Sequence, residues 1–153
     1  DLRTALPAKD FLGVISPAEF EEHKRVIKDA VALKRAEHVV YECDRVQKSV
    51  AALGGNDLKT FGELMIASHN SLRDLYEVTG EELDTLVDEA LKIDGVIGSR
   101  MTGAGFGGCT VSIVKDGAVD TFIQQVGENY KNKIGYAASF YVSEIGDGGK
   151  EIK

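Results

Sequence analysis

Glycines are concentrated at one place in this chain, between two apolar runs that predict β-strands. Four of the 17 glycines fall within residues 101–109, MTGAGFGGC, and the two runs cover 96–101 and 110–114. Glycine adopts positive φ without steric cost and leaves its N–H group accessible. A tight hairpin needs only one or two such residues. The density of glycines therefore predicts a loop whose backbone is approached closely, by a phosphate or by another segment of the protein.

Three familiar phosphate-binding motifs do not fit this loop. The spacing G-x-G-x-x-G is present, but the dinucleotide-binding form continues into a helix, whereas residues 109–114 predict a strand. A Walker A loop requires Lys and then Ser or Thr after its last glycine, where Cys109 and Thr110 stand. The protein-kinase loop requires Val at the position of Thr110. The role of the loop has to be inferred from the rest of the chain.

The first half of the chain has helical periodicity, and the second half has the pattern of strands. Ser16 with Glu19, and Thr79 with Glu82, predict capping boxes at two helix starts, and Gly54 predicts the end of the first long helical stripe. The second half predicts strands at 96–101 and 110–114 with the glycine loop between them. A helix at 118–134 and a last strand at 139–145 follow.

This order of elements predicts an α+β fold. With one more strand, from residues 11–15 or from a neighbouring chain, the second half becomes the split β-α-β pattern of ferredoxin-like domains, with the first helices as additions. We expect a single domain over 1–153, mainly helical over 1–95 and strand–glycine loop–strand–helix–strand over 96–146. The length of 153 residues and the 43% hydrophobic composition suit one domain with a sizeable core.

Four segments of the chain carry a recognisable combination of motifs. They are RMTGAGFGGC at 100–109, SHNSLRD at 68–74 with YEV at 76–78, LKRAEHVVYE at 33–42, and EELDTLV at 81–87. Together they resemble the C-terminal portion of galactokinases, in the GHMP kinase superfamily, and the first resembles the last of the three superfamily motifs. Leu75 departs from the pattern, because many relatives carry Asp there. The resemblance implies the same ferredoxin-like fold.

The resemblance also implies what the chain does and what it lacks. Galactokinases transfer phosphate from ATP to galactose with Mg²⁺, and their other two motifs, magnesium ligands and catalytic Asp lie upstream of the region that resembles this chain. We therefore expect no catalytic residue and no metal ligand here, and an N-terminal kinase domain as partner. The expected contribution is a phosphate- and substrate-cleft loop, made of Gly103, Ala104, Gly105, Phe106, Gly107 and Gly108.

The charge of the chain argues against certain binding partners, and its cysteine content indicates the cellular compartment. A formal net charge of −7 and a pI near 5.0 disfavour binding to nucleic acid or to an anionic membrane. Cys43 and Cys109 are far apart, which favours a reducing compartment over a disulfide framework. No signal peptide or transmembrane run is evident, so a cytoplasmic protein is expected. The chain alone is expected to expose apolar surface and to lack kinase activity.

Two histidines have both a chemical and a structural interpretation. His38 and Glu42 are four residues apart on a helix, which could place two metal ligands on one face, but a helical surface pair is the favoured interpretation. His69 could face the active cleft of a complete kinase, or be a hydrogen-bonded packing residue. We favour packing.

The acidic residues after Thr79 and the cysteine beside the loop are also assigned structural roles. Glu81, Glu82 and Asp84 occupy a predicted first helical turn, where negative charge suits the helix dipole. Cys109 is predicted to be a small core residue.

Two alternative functions remain open. One is a free-standing ferredoxin-like module that binds a small ligand or a partner and regulates another protein. The other is a related sugar kinase, such as one for N-acetylgalactosamine, because the sugar-contacting residues of the family lie outside the motifs found here.

Overall fold

The computed structural model describes residues 1–144, 146 and 151. Within these residues the chain forms six α-helices and one antiparallel β-hairpin. The helices are α1 (Leu2–Ala5), α2 (Pro17–His23), α3 (Ala30–Gly54), α4 (Leu58–Ser71), α5 (Glu81–Ala90) and α6 (Val119–Ile134). The strands are β1 (Val96–Thr102) and β2 (Cys109–Val114). A π-helical segment, Leu72–Tyr76, continues α4.

Side-chain caps fix where the first long helices begin. The Ser16 hydroxyl accepts a hydrogen bond from the Glu19 N–H at 3.3 Å, and the Glu19 carboxylate accepts one from the Ser16 N–H at 2.8 Å, which confirms the predicted capping box. The side chains of Asp29 and Asp57 cap α3 and α4, because each accepts a hydrogen bond from a main-chain N–H three residues later. Helix α3 ends at Gly54, as predicted.

The start of α5 differs from the prediction. The prediction of a capping box formed by Thr79 and Glu82 is wrong. Gly80 takes the cap position instead, with φ 84° and no side-chain hydrogen bond to the helix start. Thr79 lies one residue before the cap and is buried. The acidic residues Glu81, Glu82 and Asp84 do occupy the first turn, where they offset the positive end of the helix dipole.

The two strands pair as a hairpin around the glycine loop. Val96 lies opposite Val114 and Thr102 opposite Cys109, with a register shift between Val96 and Gly98. Residues 103–108 form the connection. The predicted strands and the predicted loop are therefore joined as the sequence indicates.

Helices cover both faces of β1. Helix α4 packs against β1 and against α3, while α5 contacts both strands and α6. Gly98 faces Gly62 of α4, whereas Met101 packs with Leu83 of α5. Since successive strand residues point to opposite faces, α4 and α5 lie on opposite sides of β1.

The contact between α4 and β1 is made by main chain against main chain. A Cβ atom on Gly62 would lie 2.0 Å from the carbonyl oxygen of Ile97, and one on Gly98 would lie 2.7 Å from the Cα atom of Gly62. No side chain fits at either position. The helix can approach the strand this closely only because both residues are glycines.

Two clusters of buried apolar side chains lie within the described residues, and further buried apolar residues lie outside them. One joins the N-terminal segment to α2 and α3, and consists of Leu2, Ile15, Phe20, Ala36 and Val40. The other lies where the π-helical segment, α5 and β1 meet, and consists of Leu72, Leu83 and Met101 with Val78 packed against it. The second cluster supports the base of the glycine loop.

Two predicted strands are absent from the described residues. Residues 139–144 have no regular secondary structure, and Ile145, the last residue of that predicted strand, lies outside the described residues. Residues 11–15 contain a 3₁₀ turn, Leu12–Val14, in place of an added strand. A strand is stable only when a neighbour satisfies its main-chain groups, and neither segment has one here.

The predicted fold class is confirmed. The chain is α+β, with the helical first half followed by strand, loop, strand and helix in the expected order. Of the split β-α-β pattern, β1, β2 and α6 are present in the described part of the chain, and the last strand is not.

We expect that Gly62→Ala lowers the free energy of unfolding of the chain by about 1–3 kcal/mol, the usual cost of overpacking a tight contact. The added Cβ atom would meet the Ile97 carbonyl. Gly54→Ala is the matched control, because nothing lies within 4 Å of its Cβ position. Urea unfolding followed by circular dichroism measures both. Equal stability of the two variants would contradict the close contact.

Candidate functional site

The loop between the strands has a backbone that ordinary residues rarely adopt. Gly103, Gly105 and Gly107 have φ values of 78°, 86° and 83°, and Phe106 has a φ of 55°. Positive φ is readily available to glycine and strains other residues. The Phe106 side chain is 78% exposed, so packing of this ring does not hold the loop in place.

A main-chain contact from outside the hairpin fixes the loop. The N–H of Phe106 donates to the carbonyl oxygen of Val78 at 2.8 Å. A Cβ atom on Gly105 would lie 2.0 Å from the same oxygen, whereas nothing lies within 4 Å of the Cβ positions of Gly103 and Gly107. Of the two alternatives that the glycine density predicts, a phosphate or another segment of the protein, the structure shows the second, and Val78 makes the approach.

Val78 is placed by an unusual ending of α4. The π-helical segment Leu72–Tyr76 is followed by Glu77 in the left-handed conformation, with φ 59°. The Val78 N–H then donates to the Leu72 carbonyl at 3.2 Å. This turn directs the Val78 carbonyl towards the loop.

His69 connects α4 to β1 directly before the loop. Its side chain is 1% exposed, and Nδ1 accepts a hydrogen bond from the Met101 N–H at 3.2 Å. Nε2 lies 3.2 Å from Oδ1 of Asp84, without the alignment of a normal hydrogen bond. Burial lowers the pKa of His69, with the Asp84 carboxylate opposing the shift. The favoured packing role is confirmed.

A polar group around Glu42 lies beside the same strand. Ser68 and Arg45 donate to the Glu42 carboxylate, the latter at 2.8 Å, and an Arg100 nitrogen lies 3.6 Å away. Burial favours the neutral acid, but these hydrogen bonds and the two arginine charges outweigh it and lower the pKa of Glu42. The Arg100 Nε donates to the Met101 carbonyl at 2.9 Å. We call Glu42, Arg45, Ser68 and Arg100 the Glu42 cluster.

Two structural interpretations from the sequence are wrong. His38 is buried rather than on the surface, with Nδ1 2.9 Å from the Ser71 hydroxyl and its ring stacked on Tyr76 at 4.6 Å. Burial lowers the pKa of His38. Cys109 is exposed rather than in the core, because it stands where β2 leaves the loop. Among the described residues no group of three or more His, Cys, Asp or Glu side chains could hold a metal ion.

The sequence interpretation missed Val78 and Arg100 as supports of the loop. Both lie in segments that the resemblance singles out, SHNSLRDLYEV and RMTGAGFGGC. Their place in these two segments was the signal that could have found them. No local pattern, however, indicates that a carbonyl in the first segment accepts a hydrogen bond from an N–H in the second.

An open apolar groove of about 460 Å³ adjoins the Glu42 cluster, between α3 and the hairpin. Several of its apolar side chains are 44–65% exposed. They are Val46, Val50, Leu53 and Val111. The expected exposure of apolar surface is thus confirmed. No helix within the described residues has the length and hydropathy required to cross a membrane.

Comparison with known proteins identifies the family. Residues 49–132, which include α4, the hairpin and most of α6, match the family described as GHMP kinases C terminal. The chain belongs to this family of kinase C-terminal domains.

The similar proteins are galactokinases. The chain is 62% identical over 141 residues to a galactokinase of Clostridium acetobutylicum and 54% identical over 143 residues to one of Fusobacterium nucleatum. These matches cover 92% and 94% of the chain, but only 36% and 37% of the relatives. The chain therefore spans about a third of the length of the curated relatives it matches.

A solved structure has the same fold. The crystal structure of Lactococcus lactis galactokinase complexed with galactose matches 99% of this chain with a TM-score of 0.90 and 46% identity. The match covers 39% of that galactokinase chain. The helices, the hairpin and their arrangement are thus those of the corresponding part of that protein.

We expect the chain to lose stability as the pH falls below about 6.5, the ordinary histidine pKa. Burial lowers the pKa of both His38 and His69 in the folded state, so below that pH the unfolded chain binds more protons than the folded one. Urea unfolding from pH 7.5 to 5.5 measures the effect. The double variant His38→Asn, His69→Asn should have a flatter profile. If the free energy of unfolding of the double variant depends on pH as steeply as that of the parent chain, the pH dependence does not come from these two histidines.

Proposed function

We propose that this chain is the C-terminal part of a galactokinase, which transfers the γ-phosphoryl group of ATP to the anomeric hydroxyl of galactose. The observation that carries the proposal is the 62% identity to a galactokinase over 92% of the chain. The L. lactis relative was crystallised with galactose, which supports a sugar as substrate. The activity belongs to the complete protein, in which an N-terminal kinase domain joins this part.

In this proposal the loop residues 103–108 act through their backbone. Phosphoryl transfer depends mainly on positioning and on electrostatic stabilisation of the transferred group. The loop contains no titrating side chain, and the N–H groups of Ala104 and Gly107 donate to no main-chain acceptor within the described residues. These N–H groups can face a phosphate or the sugar. The anchor at Val78 keeps them in a fixed place while the reaction proceeds.

ATP and Mg²⁺ are the cofactors that we propose for the complete enzyme. The described residues do not fit a magnesium site, because the loop has no carboxylate and that part of the chain contains no metal-binding cluster. Magnesium prefers carboxylates together with phosphate oxygens. We therefore assign the metal ligands, and the residues that act on the reacting atoms, to the rest of the polypeptide.

The partner of this part is the N-terminal kinase domain. Relatives devote nearly two thirds of their length to sequence outside the matched region. The groove beside the Glu42 cluster offers exposed apolar side chains, including Val50 and Val111, to such a neighbour. A surface of this kind is normally covered in the complete protein. We place the protein in the cytoplasm, where a soluble sugar kinase meets ATP.

A segment exchange tests the proposal directly. The matched segment of this chain replaces the corresponding segment of the C. acetobutylicum galactokinase, giving a chimera of full length. We expect the chimera to transfer labelled phosphate from ATP to galactose at a rate within about tenfold of the parent enzyme, because the exchanged segments share one fold. The isolated chain should give no turnover.

The same assay separates the alternatives. Run on the complete protein that contains this chain, it would assign a related sugar kinase if N-acetylgalactosamine but not galactose is phosphorylated, because the sugar-contacting residues of the family lie outside the matched segment. A correctly folded chimera without activity on either sugar would overturn the proposed function and favour a regulatory module.

In the chimera we expect Gly105→Ala to lower kcat by more than about tenfold, since a displacement near 1 Å of a positioning group can cost on the order of 100-fold. The methyl group would collide with the Val78 carbonyl. Gly107→Ala is the matched control, because it has a similar φ of 83° but open space around its Cβ position. A smaller loss is expected there. Equal losses would mean that backbone strain alone, and not the Val78 contact, controls the loop.

A further inference from the structure

We propose that His69 is a positioning residue for the glycine loop, acting through the main-chain N–H of Met101. The proposal rests on the proposed function and gives the segment SHNSLRDLYEV a second contact with the loop region, besides the Val78 anchor. In this proposal His69, whose side chain is 1% exposed, does not touch the reacting groups. It holds the strand from which the loop leaves.

The geometry around Met101 is fixed on three sides. Its N–H donates to His69 Nδ1 at 3.2 Å, its carbonyl accepts from Arg100 Nε at 2.9 Å, and its side chain is 2% exposed against Leu83. The first loop residue, Gly103, follows two positions later. A shift of Met101 would therefore be transmitted to the start of the loop.

The His69 ring has to be neutral and in one tautomer to do this. An imidazole nitrogen accepts a hydrogen bond only when it carries no proton, so Nδ1 is bare and the proton lies on Nε2. Nε2 lies 3.2 Å from the Asp84 carboxylate, which favours a proton on that atom. Asp84 of α5 thus selects the tautomer, and Nδ1 holds β1.

The second support of the loop comes from the same segment. Val78, nine positions after His69 in the sequence, accepts the hydrogen bond of Phe106 at 2.8 Å. One anchor lies before the loop and the other in its middle. Both anchors belong to one continuous stretch of chain, from His69 near the end of α4 to Val78 after the π-helical segment. That stretch therefore supports the loop as one unit.

Two substitutions at His69 separate positioning from simple packing. In His69→Asn the amide oxygen can take the place of Nδ1 and accept from Met101, while the contact with Asp84 is lost. In His69→Gln the amide nitrogen can take the place of Nε2 beside Asp84, while the acceptor for Met101 is lost. In the chimera we expect kcat to fall by at least about tenfold in His69→Gln and by less than about threefold in His69→Asn, as positioning losses of this size are usual.

Ser99→Ala is the control for general destabilisation. Ser99 is fully buried in β1 and bonds to the Ser112 hydroxyl at 2.8 Å, so its loss weakens the strand without touching either anchor. We expect a lower melting temperature and unchanged kcat. If kcat follows melting temperature across all three variants, or if His69→Gln retains more activity than His69→Asn, the proposal is overturned.

A second measurement needs no substitution and no kinase activity. The ¹⁵N shifts of the His69 ring in the 153-residue chain at neutral pH should identify a bare Nδ1 and a protonated Nε2. A proton on Nδ1 would overturn the positioning proposal whatever the chimera does. An inactive unmodified chimera with the expected tautomer would instead count against the proposed function alone.

Discussion

The backbone contact between Gly62 and Gly98 determines how the rest of the site is arranged. It brings the axis of α4 closer to β1 than any side chain would permit, and it sets the register of the helix along the strand. His69 lies seven residues after Gly62, which is about two helical turns or 10.5 Å along the same face. Met101 lies three residues after Gly98, about 10 Å along the strand. The two advances match, so the His69 ring meets the Met101 N–H.

From that register the support of the loop follows. Helix α4 passes into the π-helical segment, which ends with Glu77 in the left-handed conformation and directs the Val78 carbonyl to Phe106. The glycine at position 105 permits this approach, as Gly62 permits that of the helix. Both contacts are made by main chain, which explains how the segment can determine where the loop backbone lies, the part that we propose faces a phosphate.

Local signals in the sequence predict the local parts of this structure. The capping box at Ser16, the end of α3 at Gly54 and the two strands flanking the loop depend on neighbouring residues and are found as predicted. The box at Thr79 fails because Gly80, with its positive φ, takes the cap position one residue later. The strand predicted over 139–145 fails within the described residues because a strand needs a partner, and a local pattern cannot supply one.

Long-range contacts explain the remaining differences. The glycine density predicts a close approach but cannot identify Val78, and the spacing of His38 and Glu42 on a helix does not reveal that α4 buries His38. Cys109 alternates like a core residue, yet its place at the loop leaves it exposed. The motif resemblance, by contrast, predicts both the fold class and the family correctly, because proteins that share these motifs share the whole arrangement of elements.

The position of the glycine loop depends above all on the Val78 anchor, and amide hydrogen exchange of the 153-residue chain tests this contact most directly. The Phe106 side chain is 78% exposed, so only the bond to the Val78 carbonyl can protect its N–H. We expect the Phe106 amide to exchange at least about tenfold more slowly than the neighbouring Gly107 amide, since a hydrogen bond has to open first. Equal, fast exchange at the two positions would contradict the account.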